Sequence, residues 1–179
     1  MRRNGPLATT RPLSITACLV GLVAWGLATP ARAELDAQEQ APGIYTGTAP
    51  TAAEDFEQLR CLGVQTIVDM RKFRPRDSRR EQALAAQYGI AYHAIPLGFY
   101  PTHDDAPQRV LQLLAACADR PVYLHCQLGR DRTGLIIALY RVRHLGWSPE
   151  AAYAAMEQQE FNPLLRDLDR YFWRSVRCF

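Results

Sequence analysis

The sequence lacks most of the features that would assign a function early. Its longest apolar run falls short of the about 20 residues a helix needs to cross a bilayer comfortably. No internal repeat or low-complexity segment occurs, which argues against a solenoid or a linker-rich chain. Histidine and cysteine are few, four and five among 179 residues, and none of them gather at metal-ligand spacing. No metal or cofactor is therefore expected. The net charge of +3 is also misleading. Setting aside residues 1–33 takes away four arginines and no acid, leaving 17 basic against 18 acidic side chains. A slightly acidic domain gives no electrostatic reason to expect a nucleic-acid partner.

Residues 1–33 read as a signal peptide. Arg2, Arg3 and Arg11 form a positive n-region, Leu13 to Leu27 an apolar core, and Ala31-Arg-Ala33 a small-x-small cleavage signal, with cleavage expected before Glu34. Arg2-Arg3 suggests a twin-arginine route, but the residues that follow match it poorly. Ile15-Thr-Ala-Cys18 loosely suggests a lipoprotein box, but the apolar core runs on past Cys18. The expected location is periplasmic or secreted, with no stable membrane span once the signal is cleaved; retention of the signal as an anchor is the alternative. Cys61, Cys117, Cys126 and Cys178 remain, an even number in a compartment where disulfides persist. Cys61 and Cys117 read as small buried residues, Cys178 as exposed, and the disulfide state is left open.

Residues 34–42 read as a flexible, polar segment, and 43–179 as one domain. Gly43-Ile-Tyr45 begins it as a strand. Thr51-Ala-Ala-Glu54 reads as a capping box opening a helix to about Leu62. Val64 to Met70 is β-rich, and Asp77 or Ser78 is expected to cap a helix ending near Gly89. Ala91 to Ile95 is the next strand, Pro96 to Asp105 a loop, and about Ala106 to Ala118 a helix. Pro121 to His125 is a short buried strand, and Leu135 onward an apolar helix stopped by Gly146. Ser148-Pro149 and Asn162-Pro163 each read as a cap followed by proline, opening two last helices. Strands alternating with helices predict an α/β fold, a single domain with a central, mainly parallel sheet flanked by helices.

Between strand and helix stands His125-Cys-Gln-Leu-Gly-Arg-Asp-Arg-Thr-Gly134. A tight loop leading into a helix N-terminus turns unpaired amides and the positive end of the dipole toward one point, where an anion binds. Residues Gln127, Leu128, Gly129, Arg130, Asp131 and Arg132 would form that cradle. Arg132 adds a planar fork matched to two phosphate oxygens. In such a field the Cys126 thiol ionises readily and becomes a nucleophile. Gly129 permits the turn, and Thr133 is placed to stabilise the Cys126 sulfur as a leaving group. His125 is expected to point away from the nucleophile and hold the loop. Adjacent residues such as His125 and Cys126 cannot easily aim at one metal, so zinc is not expected here.

The stretch resembles the signature loop of the cysteine-dependent phosphatases, His-Cys-x5-Arg-Thr, most closely the bacterial dual-specificity-like and tyrosine phosphatase branch. The resemblance runs from about Gly43 to about Glu160. The resemblance implies phosphomonoester hydrolysis through a phosphocysteine, with phosphotyrosine, phosphoserine or phosphothreonine, or a phosphoinositide as substrate. It also implies an aspartate general acid on a neighbouring loop. Asp104 is the first candidate, Asp105 is read as the helix cap, and His103 is an outside candidate. Arg71, at the end of the Val64–Met70 strand, is implied as a support for the site. Asp131 is expected to face outward. Six of the ten residues from Arg71 to Arg80 are basic, either a solvated helix face or a dock for a polyanionic substrate. Phe99 and Tyr100 are candidate walls of a phosphotyrosine pocket, or core. Competing readings are a phosphate-ester binding module without turnover and a rhodanese-like sulfurtransferase, the latter at odds with the Arg132-Thr133 pair. Physiological substrate, partner protein or lipid, and oligomeric state are not legible.

Overall fold

A computed structural model describes residues 35–101 and 105–177. The signal-peptide reading of residues 1–33, together with His103, Asp104 and Cys178, lies outside the described residues. Five strands form one sheet in the order β1-β2-β5-β3-β4. They are β1 (Gln38–Ala41), β2 (Ile44–Gly47), β3 (Thr66–Asp69), β4 (Ala91–Ala94) and β5 (Val122–His125). All neighbours run parallel except β1, which pairs antiparallel with β2 at the edge. The helices are α1 (Ala53–Cys61), α2 (Pro75–Gln87), α3 (Ala106–Ala116), α4 (Asp131–Leu145), α5 (Pro149–Gln158) and α6 (Arg166–Val176). Among the described residues no helix is long and apolar enough to cross a membrane.

Side-chain alternation along the strands divides the interior in two. Val122 and Leu124 of β5 and Val68 of β3 join the core made with α3 to α6. Tyr123 of β5 and Ile67 of β3 point the other way, into a smaller core with Phe56 and Leu59 of α1 and Ala85 of α2. Helix α4 is buried from Arg132 to Arg141, so it is covered on all sides rather than along one stripe. Each of its fully buried Leu and Ile side chains contributes roughly 1.5–3 kcal/mol. That burial anchors the helix whose N-terminus carries the signature loop.

Four element boundaries differ from expectation. The segment 34–42, read as flexible, contains β1. Three of its four side chains are polar and at least partly exposed and only Ala41 is buried. The strand is therefore held mainly by backbone pairing to β2, which leaves no hydrophobic alternation to read. The α1 cap is shifted by one residue: Asp55, not Glu54, supplies the carboxylate, accepting from the amides of Thr51 and Ala52 at 2.6 and 3.0 Å. Helix α2 starts at Pro75, before Asp77 and Ser78, because proline suits the first helical turn where no N–H partner is needed. Helix α6 starts at Arg166, since the Asn162 carboxamide accepts from the Leu164 amide at 3.0 Å and makes a local turn instead of a cap. The other proline-marked start holds: Ser148 Oγ accepts from the Ala151 amide at 3.1 Å.

Candidate active site

The register sets the carboxyl ends of the strands in one row, with Gly47 beside His125 and His125 beside Asp69. Ligands gather at this edge of a parallel sheet. The signature loop starts there and turns into α4. Gly129 adopts φ +70°, and a Cβ on it would run into the Gly47 backbone. Glycine is required twice over, once for the left-handed turn and once for the close approach.

Cys126 is 3 % exposed. Burial works to raise its thiol. The Thr133 hydroxyl, the Arg132 guanidinium and the amides of Leu128 and Thr133 outweigh it and hold the thiol below its ordinary value. The buried Thr133 Oγ1 has no nitrogen or oxygen partner among the described residues, so its polarity is directed at the sulfur. Arg132 is buried and spans toward β3. Its Nη1 donates to the carbonyls of Met70 and Leu97, both at 3.3 Å, and its guanidinium lies 4.7 Å from the centre of the Phe99 ring. Its Nε is buried with no partner among the described residues, a donor left for a ligand.

These groups lie on a cavity of about 290 Å³ lined by Cys126, Arg132, Gln127, Phe99, Lys72 and Phe73 among others. Leu128 and Phe73 form part of its rim and are 53 % and 74 % exposed. Phe99 therefore serves both core and cavity wall, whereas Tyr100 is exposed and does not line the cavity.

Beneath the loop His125 and Arg71 enter a buried charge network. Both nitrogens of His125 face acceptors, Nδ1 the Cys126 carbonyl and Nε2 the Glu81 carboxylate, each at 2.8 Å. Only the doubly protonated ring satisfies both. Burial disfavours that charge, but the bond to Glu81 and the nearby Asp69 raise the pKa above the ordinary histidine value. Arg71 bridges Asp69 (Nε to Oδ1 2.9 Å, Nη2 to Oδ2 3.0 Å) and Glu81 through Nη2. Asp69 also accepts from Ser78 Oγ at 2.6 Å and Tyr92 Oη at 2.7 Å. Burial pushes its carboxyl up, yet these donors and the His125 cation hold it at about 2. Asp69, Glu81 and His125 have a metal-like arrangement. Arg71 already supplies the positive charge there, two cations against two carboxylates, and the ring nitrogens are committed.

The loop's outer side is also tied. Asp131, expected to face outward, accepts from the Asn162 amide at 2.9 Å and also lines the catalytic cavity, while Arg130 pairs with Glu160 at 3.1 Å. Asp105 sits at the N-cap position of α3, but its side chain makes no capping bond. It is exposed and stands 3.9 Å from Arg109. Of the residues singled out in the sequence, the structure gathers Arg71, Cys126, Gln127, Leu128, Asp131 and Arg132 on one cavity, with the buried His125 and Thr133 supporting it. Gly129 and Arg130, expected in the same cradle, line a different pocket. Glu81 was not anticipated. The available signal was helical: Ser78, Glu81 and Ala85 share the inner face of α2, so an acid stood at a core position.

Glu81→Gln should move the acid limb of the kcat/KM pH profile to higher pH, because His125 loses the partner that keeps it charged and the Cys126 thiolate loses a nearby cation. It should also cost about 3–5 kcal/mol of stability, the usual effect of removing one partner from a buried ion pair. Kinetics across pH with denaturant unfolding would check both. An unmoved limb would separate the network from the thiol.

A family model described as the DSP-PTPase phosphatase fused to NAD+ kinase matches residues 23–168. The dual specificity protein phosphatase TpbA of Pseudomonas aeruginosa is 31 % identical over 133 residues, which is 73 % of this chain and 58 % of that protein. The chain thus spans a little over half the length of this curated relative. The crystal structure of P. aeruginosa TpbA superposes with a TM-score of 0.65 at 27 % identity, covering 77 % of this chain and 83 % of that one. A cysteine-to-serine form of TpbA in complex with phosphotyrosine gives 0.63 at 27 % identity, covering 80 % and 91 %. By the family match and the relative's identity, the chain belongs to the DSP-PTPase family of cysteine-dependent phosphatases.

Proposed function

We propose that the protein hydrolyses phosphomonoesters, phosphotyrosine above all, through a phosphocysteine intermediate. The observation that carries the reading is a low-pKa thiol and a half-free arginine sharing one cavity at a helix N-terminus. The Cys126 thiolate attacks phosphorus in line, the S–P bond forms and the ester P–O bond breaks. Arg132 and the loop amides hold the equatorial oxygens throughout. The leaving oxygen takes a proton from Asp104. Water then gives a proton back to Asp104 and attacks phosphorus, and the thiolate departs, stabilised by Thr133. Phosphotyrosine is favoured because Phe73, Phe99 and Leu128 give the cavity apolar walls that suit a phenyl ring. TpbA, crystallised as its serine form with phosphotyrosine, supports the choice. A periplasmic or secreted location is proposed from the basic, apolar and small-x-small pattern of residues 1–33.

Asp104→Asn tests the proton donor. A general acid contributes about 10²–10⁴-fold, and mainly for basic leaving groups. The variant should be strongly slowed on a tyrosyl phosphate and much less on a nitrophenyl phosphate. If Asp105→Asn behaves this way instead, the two aspartates exchange roles. The reaction itself is tested by a panel of phosphotyrosine peptide, phosphoserine peptide and phosphoinositide, on which absence of turnover throughout would refute it.

A further inference from the structure

Two cavities adjoin on the basic side of the signature loop. The second, of about 200 Å³, shares Arg71, Arg74 and Gln127 with the catalytic one and is further lined by Asp77, Arg80 and Leu84. Asp77, Arg80 and Leu84 are spaced three and four apart and so lie on one face of α2. The charges here are not equivalent. Arg71 is consumed by Asp69 and Glu81. Arg74 has one exposed contact with Asp77 at 3.4 Å. The Arg80 guanidinium has no ion pair or hydrogen bond among the described residues. Gln127 lines both cavities, its Oε1 buried and without a partner among the described residues. Turned over about its last bond, that carboxamide presents NH2 donors to an anion on either side.

We infer that this second cavity is a specificity subsite for a further anionic group on the substrate, and that the substrate class is a phosphotyrosine peptide with a second phosphorylated residue close to the first. The inference rests on the phosphatase reading above. Arg74 and Arg80 supply forked donors suited to phosphate oxygens. The two anions must be carried on one scaffold that passes over Arg74 and Gln127, with a ring seated between Phe99, Phe73 and Leu128. A peptide bearing phosphates on nearby residues meets both conditions. A small polyol bisphosphate meets the charge condition and leaves the apolar walls unused. Asp77, whose one contact is the exposed pair with Arg74, is the carboxylate lining the subsite that opposes the second anion.

The test compares kcat/KM for matched peptides, one phosphotyrosine alone and others with a phosphoserine one to three residues to either side. The best doubly phosphorylated peptide should be favoured about tenfold, the scale of one charge-assisted contact. Arg80→Ala should abolish that preference while leaving the singly phosphorylated peptide within about twofold of wild type. Asp77→Asn should widen the preference, and added salt should shrink it, since the groups are exposed. Equal rates on single and double peptides, or a preference that survives Arg80→Ala, would overturn the subsite. An Arg80-dependent gain found only with a polyol bisphosphate would overturn the peptide assignment. Failure on every singly phosphorylated substrate and on nitrophenyl phosphate would instead strike the phosphatase reading beneath it.

Discussion

Replacing Cys126 by serine is expected to abolish turnover while leaving phosphate-ester binding intact. A serine hydroxyl has no means of ionising in this site, because the surroundings that lower the thiol pKa still leave an alcohol protonated at neutral pH. The cradle itself is untouched. Arg132 remains anchored on the carbonyls of Met70 and Leu97, and Gly129 keeps its turn against Gly47. Binding of a phosphotyrosine peptide, measured by calorimetry, should stay within about tenfold of wild type, one step of roughly 1.4 kcal/mol. Turnover should fall to background. A serine variant with substantial turnover would remove Cys126 from the mechanism, and loss of both properties would point to a collapsed loop.

Arg132→Lys is expected to lose about 10²–10³ in kcat, the range found when one preorganised transition-state donor is removed. The argument is geometric rather than electrostatic, since the charge is conserved. Nη1 of Arg132 is spent on two main-chain carbonyls, and its buried Nε has no partner among the described residues. The same plane packs over Phe99. A lysine ammonium must abandon either the carbonyls or the phosphate, and it has no planar face for the ring. Steady-state kinetics on a phosphotyrosine peptide would show kcat falling more than KM rises. A near-wild-type kcat would mean that the guanidinium anchors β3 and does little else.

The signature loop was legible in the sequence because its parts are contiguous, ten residues from His125 to Gly134 that carry nucleophile, turn and anion donors together. The alternating order of strands and helices was legible for a related reason, as local hydrophobic patterns mark each element. What escaped was supplied from a distance. Glu81 reaches His125 across 44 positions, and nothing local says which acid on α2 turns inward. Strand β1 escaped because it is polar and depends on β2 for its existence. Asp105 shows the opposite failure: the residue type and position of a helix cap were present, yet the side chain went to Arg109. The α2 start was misplaced because Pro75 outranks two polar residues that each had the right chemistry for a cap.

The contact between Gly129 and Gly47 has a consequence for the entropy of binding. The signature loop is wedged against the end of β2 on one side, and Arg130 and Asp131 tie it to residues 160–162 on the other. Its backbone therefore surrenders its freedom when the chain folds, at about 1–2 kcal/mol per residue, and not when phosphate arrives. A substrate meets amides already aimed, so its affinity is not reduced by the ordering of the seven residues from Cys126 to Arg132.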